Sequence, residues 1–256
     1  MRFGVGSKGQ SKMKTKTALI TGASRRLGLG FAVAQQLAER DYRVILTARD
    51  VRQAEELAAE LRHAGLNTTA MRLDLADRAS IHQIADRLTS SVDHLDVLVN
   101  NASAMPDFHT RSPLDVDLDA LHAAFEVKVF GCWALIQALL PLLRQAPAAR
   151  IVNVSSAAAQ QIGQRGPGPL FSPAYSLASH TLNALTATLA GALADTPILI
   201  NAVDPGPVAS HPERGDTADD RSPSEAAKGV VWAATLDSDG PSGGFFFDGE
   251  PVRAAP

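Results

Sequence analysis

The first residues able to do chemistry are Gly22 and Gly28, in a segment reading TALITGASRRLGLG. It closes one apolar run and opens the first helical pattern. Gly22 permits a tight turn, Gly28 lets helix and strand pack closely, and Ser24, Arg25, Arg26 and Leu27 form the bend between them. A pyrophosphate can then sit on the unpaired N–H groups of the helix start. A glycine-rich turn alone also suits a plain tight connection; its place after a first strand is what points to a dinucleotide. No His, Cys, Asp or Glu cluster has metal-ligand spacing, so no metal is expected.

These groups need a frame. From Lys16 onward, short apolar runs alternate with longer helical patterns, the mark of a parallel sheet wound with helices. Strands are predicted at Thr17–Thr21, Arg43–Thr47, Thr68–Leu73, Leu95–Asn100, Ile151–Ser155, Ile198–Val203 and Gly244–Phe247. Helices are predicted at Leu27–Arg40, Val51–Ala64, Arg78–Thr89, Leu118–Arg144, Pro173–Ala194 and Ser224–Thr235. The strand runs are apolar without alternation, as strands covered on both faces should be. The expected fold class is therefore α/β, a single Rossmann-type doubly wound parallel sheet of about seven strands with helices on both faces. Long connections fall near Pro106–Pro113, Ala157–Ser172 and Ser210–Pro223, by the strand ends where such sheets bind ligands.

The chain has 256 residues, 45% of them hydrophobic and 20% charged, enough for one domain over residues 16–256 with a substantial core. Residues 1–15 are basic and rich in Gly and Ser, without the apolar centre of a signal peptide. A disordered tail is expected there, with Met13 as an alternative start. A formal charge of −3 gives no reason to expect nucleic acid or an anionic membrane. No apolar run is expected to span a membrane, because charges and prolines interrupt the candidates. The single cysteine, Cys132, excludes a disulfide within the chain and fits a reducing, cytoplasmic setting.

TGASRRLG resembles the TGxxxGxG signature of the short-chain dehydrogenase/reductase family. Further matches follow in order: Asp74-Leu75, Asn100-Asn101-Ala102-Ser103, Tyr175, and Pro205-Gly206-Pro207-Val208-Ala209-Ser210. The ending GPSGGFFFDGEPV is similar to the carbonyl-reductase-like branch, and the likeness runs from about Lys16 to Val252. The resemblance implies that Asp74 bonds the adenine amino group and Leu75 packs by the ring. Asn101 and Ala102 would line the ribose side, and Val208 would hold the nicotinamide carboxamide through its backbone. Ser103 replaces the glycine of NNAG and Arg26 the middle glycine of the first motif, both as in pteridine-reductase-like members. Arg26 could contact phosphate or substrate, or be a solvated charge.

Cofactor choice follows from charge. NAD-selective members carry an acidic residue at the end of strand two, where this chain has Ala48-Arg49-Asp50. Arg25 and Arg49 together could grip a 2′-phosphate. Asp50 argues the other way, but in relatives ending this strand with ARD the arginine meets the phosphate. NADPH is the expected cofactor.

In the family, a tyrosine protonates the carbonyl oxygen and a serine hydrogen-bonds it. A lysine four residues beyond the tyrosine lowers its pKa and holds the nicotinamide ribose, and a helix asparagine anchors a water leading to that lysine. Tyr175 matches the tyrosine and Ser156 the serine, with Ser155 and Ser172 as alternatives. The lysine is missing: Ser179 stands in its place. The asparagine is missing too, because FEVKVFG carries Lys128 there. Beyond Lys16 the chain has only Lys128 and Lys228, and Lys228 lies on a late helix far from these motifs. A free phenol titrates near about 10. Without a nearby cation, alcohol oxidation, which needs phenolate as base, suffers more than carbonyl reduction. The sharper expectation is that Lys128 supplies the lost ammonium from the neighbouring helix. Indifferent replacement and different chemistry are the alternatives. His180 points about 100° away from Ser179 on a helix and reads as structural. His109 and His211 flank the presumed cleft without recognisable partners.

The connection after Ser210 is short and polar, which suggests an open mouth for a small-molecule carbonyl substrate, such as a bulky ketone or one presented by a larger carrier. Met105, Pro106, Phe108 and Trp133 are candidates for apolar lining, Trp133 also for helix packing. The long helices suit the homotetramer or homodimer common in the family. The expected function is an NADPH-dependent reductase of a carbonyl or imine. A non-redox enzyme of isomerase or cyclase type, or an NADPH-binding regulatory protein, remain the alternatives.

Overall fold

Runs that are mostly apolar, without alternation, fold into strands covered from both sides. β1 (Thr17–Ile20), β4 (Val97–Asn100) and β5 (Arg150–Val154) are buried throughout. The structure is a computed structural model that describes residues 15–162, 170–211, 216 and 219–252. The N-terminal tail, the proposed start at Met13 and most of the loop after His211 therefore lie outside the described residues.

The remaining strands are β2 (Arg43–Ala48), β3 (Thr68–Arg72), β6 (Leu199–Asp204), β7 (Phe245–Phe247) and β8 (Glu250–Pro251). They form one eight-stranded sheet in the order β3-β2-β1-β4-β5-β6-β7-β8. β1 to β7 are parallel; β8 turns back antiparallel on β7, pairing Phe246 with Pro251 and Phe247 with Glu250. This short eighth strand was not anticipated. Asp248 and Gly249, at φ 49° and 87°, make its turn, a geometry that suits a tight hairpin.

α1 (Leu29–Ala38), α2 (Val51–His63) and α7 (Pro223–Ala234) cover one face, with Phe31, Leu37, Leu57 and Val230 in its core. α3 (Arg78–Thr89), α4 (Leu118–Phe125), α5 (Cys132–Gln145) and α6 (Pro173–Ala192) cover the other, around Ile84, Leu135, Leu139 and Leu182. Alternation along β1 serves both layers: Leu19 enters one, Ala18 and Ile20 the other. The strand order reverses between β1 and β4, so the loops leaving these strands face one crevice.

The single helix expected over Leu118–Arg144 is interrupted. Glu126–Gly131 is a π-helical turn joining α4 to α5, and it buries Lys128, Val129 and Gly131. Gly131 meets the β3–α3 connection so closely that a Cβ there would stand 2.4 Å from the Leu75 carbonyl oxygen. Such wide turns often mark functional sites. Contrary to expectation, the rod Leu118–Gln145 is long and apolar enough by composition to cross a membrane. Its apolar side packs on α3 and the sheet, which accounts for that composition without a lipid phase.

Cys132 lies at the start of α5 against the sheet, its Sγ 3.5 Å from Asn153 Oδ1. Burial pushes its thiol up to about 12, against the opposing charge of Lys128. Thiolate is the reactive form. Cys132 is therefore expected to resist iodoacetamide at neutral pH in folded protein and to react once the protein is unfolded in urea, as read by intact mass. Rapid alkylation of the folded chain would contradict this.

Candidate active site

The glycine turn is held by its neighbour across the crevice. Thr21 Oγ1 accepts the N–H groups of Asn101 and Ala102, both at 2.9 Å. Asn101 Nδ2 donates to the carbonyls of Thr21 and Gly22 at 2.8 and 3.1 Å. Gly22 takes φ +69°, and a Cβ on it would lie 2.8 Å from Ala102 Cα. Gly28 is the N-cap of α1, without a side-chain cap, and a Cβ would lie 2.9 Å from the Arg25 carbonyl oxygen. The tightest contact in the cradle belongs to Gly30, which sequence reasoning passed over. A Cβ there would come within 2.6 Å of Asn101 Nδ2 and 2.8 Å of the Gly22 oxygen. Its signal was only a third glycine two residues on. The close approach of backbone, with α1 uncapped by any side chain, fits a dinucleotide pyrophosphate. Ser24 is half-buried on the turn, and Leu27 is 53% exposed.

The arginines divide. Arg25 turns toward the loop after β6 and donates to the Ser210 carbonyl at 3.1 Å. Arg26 pairs with Glu60 on α2 at the surface. Arg49 stands exposed at the end of β2 and has no ion pair among the described residues. Of the two arginines expected at a 2′-phosphate, Arg25 is thus bonded to the Ser210 carbonyl and Arg49 lies exposed at the end of β2. Asp50 is no competitor for Arg49. Its carboxylate caps α2 through the Arg52 N–H and takes the Arg52 guanidinium at 3.1 and 3.0 Å. The Arg52 hydrogen bonds hold that carboxyl below the usual aspartate range.

Asp74 is half-buried and accepts the Ala76 N–H at 3.1 Å, while Leu75 is buried beside it. After β6, Pro205 and Gly206 turn the chain, with Gly206 at φ +72°. The Gly206 N–H bonds Asp204 Oδ1 at 2.9 Å. Burial raises the Asp204 carboxyl above its ordinary range, opposed by N–H bonds from Gly206 and Ala157. Asp204 therefore ties the exit of β5 to the exit of β6. Val208 forms a bridge with Arg221, whose guanidinium holds the Pro205 carbonyl and Asp248, each at 3.0 Å. Arg221 was not singled out from sequence. Ser210 Oγ lies 2.9 Å from His211 Nδ1.

The chemical centre lies where α6, the π-turn and the end of β5 meet. Tyr175 is half-buried in the first turn of α6. Lys128 is 2% exposed, and its Nζ stands 4.6 Å from the centre of the Tyr175 ring. Its hydrogen bonds go to the Val154 carbonyl at 3.2 Å and Ser103 Oγ at 3.5 Å. An ammonium over an aromatic face is attracted by the ring's negative quadrupole, more strongly when desolvated. Ser179 is wholly buried and its hydroxyl has no hydrogen-bond partner, so it makes none of the contacts an amine would make there. Lys228 pairs with Glu225 on the surface of α7.

Among the three serines, Ser155 is buried and directed at the Ser179 carbonyl at 3.4 Å. Ser172 is buried too, with a left-handed backbone. Ser156 alone is half-buried, accepting the Ala158 N–H at 3.2 Å with its hydroxyl proton free to donate. His180 is exposed, with Nδ1 3.2 Å from the Ala159 carbonyl. His109 packs edge-on against Phe108. Trp133 is 41% exposed on α5.

Comparison with known proteins agrees with this geometry. The family model for short chain dehydrogenases matches residues 16–221. Oxidoreductase UcpA of Salmonella typhimurium is 32% identical over 216 residues, covering 82% of this chain and 77% of that protein. A metagenomic short-chain oxidoreductase solved in complex with NADP superposes with a TM-score of 0.72 at 27% identity, over 88% of this chain and 93% of that one. A short chain dehydrogenase from Escherichia coli, solved with NADPH, shares the fold at a TM-score of 0.80 and 23% identity, over 91% and 96% of the two chains. The glycine cradle, the crevice at the strand-order reversal and these likenesses have one common explanation: the chain belongs to the short-chain dehydrogenase/reductase family of oxidoreductases.

Proposed function

We propose that this protein is an NADPH-dependent reductase of a carbonyl or imine, in which the Lys128 ammonium takes over the work of the lysine its relatives carry at the Ser179 position. The observation that carries this reading is the buried Nζ, 4.6 Å from the centre of the Tyr175 ring. Gly22, Gly28, Gly30 and Asn101 would hold the dinucleotide, Asp74 and Leu75 its adenine end, and Pro205, Gly206 and Val208 its nicotinamide end. When bound, the reduced nicotinamide supplies hydride to the carbonyl carbon. Tyr175 donates the phenolic proton to the carbonyl oxygen, and Ser156 donates a hydrogen bond to the same atom. Lys128 offsets the negative charge left on the phenol ring after transfer.

NADPH rather than NADH follows from Arg49, exposed and without an ion pair among the described residues. The two NADP(H)-bound structures named above support the same choice. Replacing Arg49 with Ala is expected to weaken NADPH binding by about 10- to 100-fold, the range of a lost charge-assisted bond, and to leave NADH nearly unchanged. Calorimetric titration with both nucleotides measures this; equal losses for both would remove the arginine from phosphate recognition. The reductase reading itself is tested by incubating the protein with NADPH and a panel of ketones, aldehydes and cyclic imines. Consumption at 340 nm that depends on the carbonyl is expected. Tight NADPH binding with no consumption across the panel would favour a binding protein instead.

A further inference from the structure

The first N–H groups of a helix have no partner within it, and a side chain at the N-cap normally takes one of them. α6, which carries Tyr175 in its first turn, does not follow this. Its N-cap Ser172 has φ 47° and ψ 64°, a left-handed conformation, and its hydroxyl caps nothing. The cap comes from a distant loop instead. Asp107, 5% exposed, accepts the Ala174 N–H on Oδ2 at 2.6 Å. Three more contacts join the same stretches. Ser172 donates its N–H to the Thr110 carbonyl at 3.0 Å. The Arg111 guanidinium lies 4.8 Å from the centre of the Phe171 ring. It also donates to the carbonyls of Phe108 and Thr110 at 2.7 and 3.1 Å, which stiffens the turn that carries Asp107.

The loop that grips the start of α6 is the one that leaves β4. It begins at the crevice with Asn101 and Ala102, and its Ser103 contacts Lys128. One loop therefore touches both members of the pair, Lys128 through Ser103 and Tyr175 through the residue before it. Asp107 Oδ1 is buried without any hydrogen-bond partner. A buried carboxylate oxygen left unsatisfied is a burden on stability.

We infer that Asp107 is a positioning residue: by capping α6 from the β4–α4 loop, it sets Tyr175 at its distance from the Lys128 ammonium. The inference deepens the reductase reading and rests on Tyr175 being the proton donor. Its test includes one readout that needs no turnover. The chain has two tyrosines, Tyr42 and Tyr175, so 3-fluorotyrosine labelling gives two 19F signals, assigned with Tyr42→Phe.

In Asp107→Ala, the Tyr175 signal is expected to shift or broaden while that of Tyr42 holds. kcat should fall by about 10- to 100-fold, the scale of a displaced catalytic group, with KM for the carbonyl and NADPH affinity little changed. Asp107→Asn keeps an acceptor oxygen and should restore both signal and kcat. If Asp107→Ala leaves the Tyr175 signal and kcat as they were, or Asp107→Asn is as impaired as Asp107→Ala, the inference is overturned. Should Asp107→Ala not fold, amide hydrogen exchange of the wild-type protein decides. A slow Ala174 N–H is required, and a rapid one overturns the cap. Absence of NADPH consumption by the wild-type protein would sink the reductase reading, while the 19F and exchange data still judge the cap.

Discussion

Tyr175→Phe is expected to lower kcat for NADPH-dependent carbonyl reduction by about 10²- to 10⁴-fold, the range for loss of a positioned general acid. The substitution is unusually clean at this site. Lys128 addresses the face of the ring, and its hydrogen bonds go to Val154 and Ser103 rather than to the phenolic oxygen. A phenylalanine ring keeps an aromatic face for the ammonium and leaves the first turn of α6 undisturbed. Only the hydroxyl, and with it the transferable proton, is removed. Folding and NADPH affinity should therefore be retained, as measured by thermal melting and calorimetry, while single-turnover reduction is slowed. A Phe variant that keeps more than about a tenth of wild-type turnover would show that the proton comes from elsewhere, since general acids contribute far more than this.

Much of this picture is legible in the chain because the relevant signals are local. The doubly wound sheet follows from apolar runs alternating with helical patterns, and each predicted run corresponds to a strand of the sheet. The turn at Gly22 is legible because only a residue without Cβ fits against Ala102 at φ +69°. β8 had its signal as well, an Asp-Gly pair after three phenylalanines, but a two-residue strand has no periodicity to detect. What was not legible depends on partners distant in sequence. Nothing near Arg25 says that it will meet Ser210, 185 residues away. Asp107 reads as an ordinary loop acid until the fold brings Ala174 to it across 67 residues. The π-turn is hidden for a related reason. Its sequence suits an α-helix, and the closeness of Gly131 to Leu75 appears only when α5 is packed on the β3–α3 connection.

Lys128 joins the two kinds of information, for its identity is read from sequence and its direction only from the fold. Lys128→Met is expected to reduce kcat by about 10²-fold or more, as when a preorganised electrostatic group is removed from a water-poor site. NADPH binding through the glycine cradle should persist. The more discriminating experiment adds Ser179→Lys. Alone, that change places a second ammonium at a wholly buried position one turn beyond Tyr175, in a region already charged by Lys128. Burial and like-charge repulsion both oppose it, so the single variant should lose stability and activity. In a Lys128→Asn background the repulsion is gone, and an amine at 179 can approach Tyr175 from its own helix. The same substitution should then raise kcat instead of lowering it. Such reversal of sign marks two residues acting on one site, since changes at independent sites add. Full turnover in Lys128→Met, or a Ser179→Lys effect that is alike in both backgrounds, would mean that this ammonium does not serve the tyrosine.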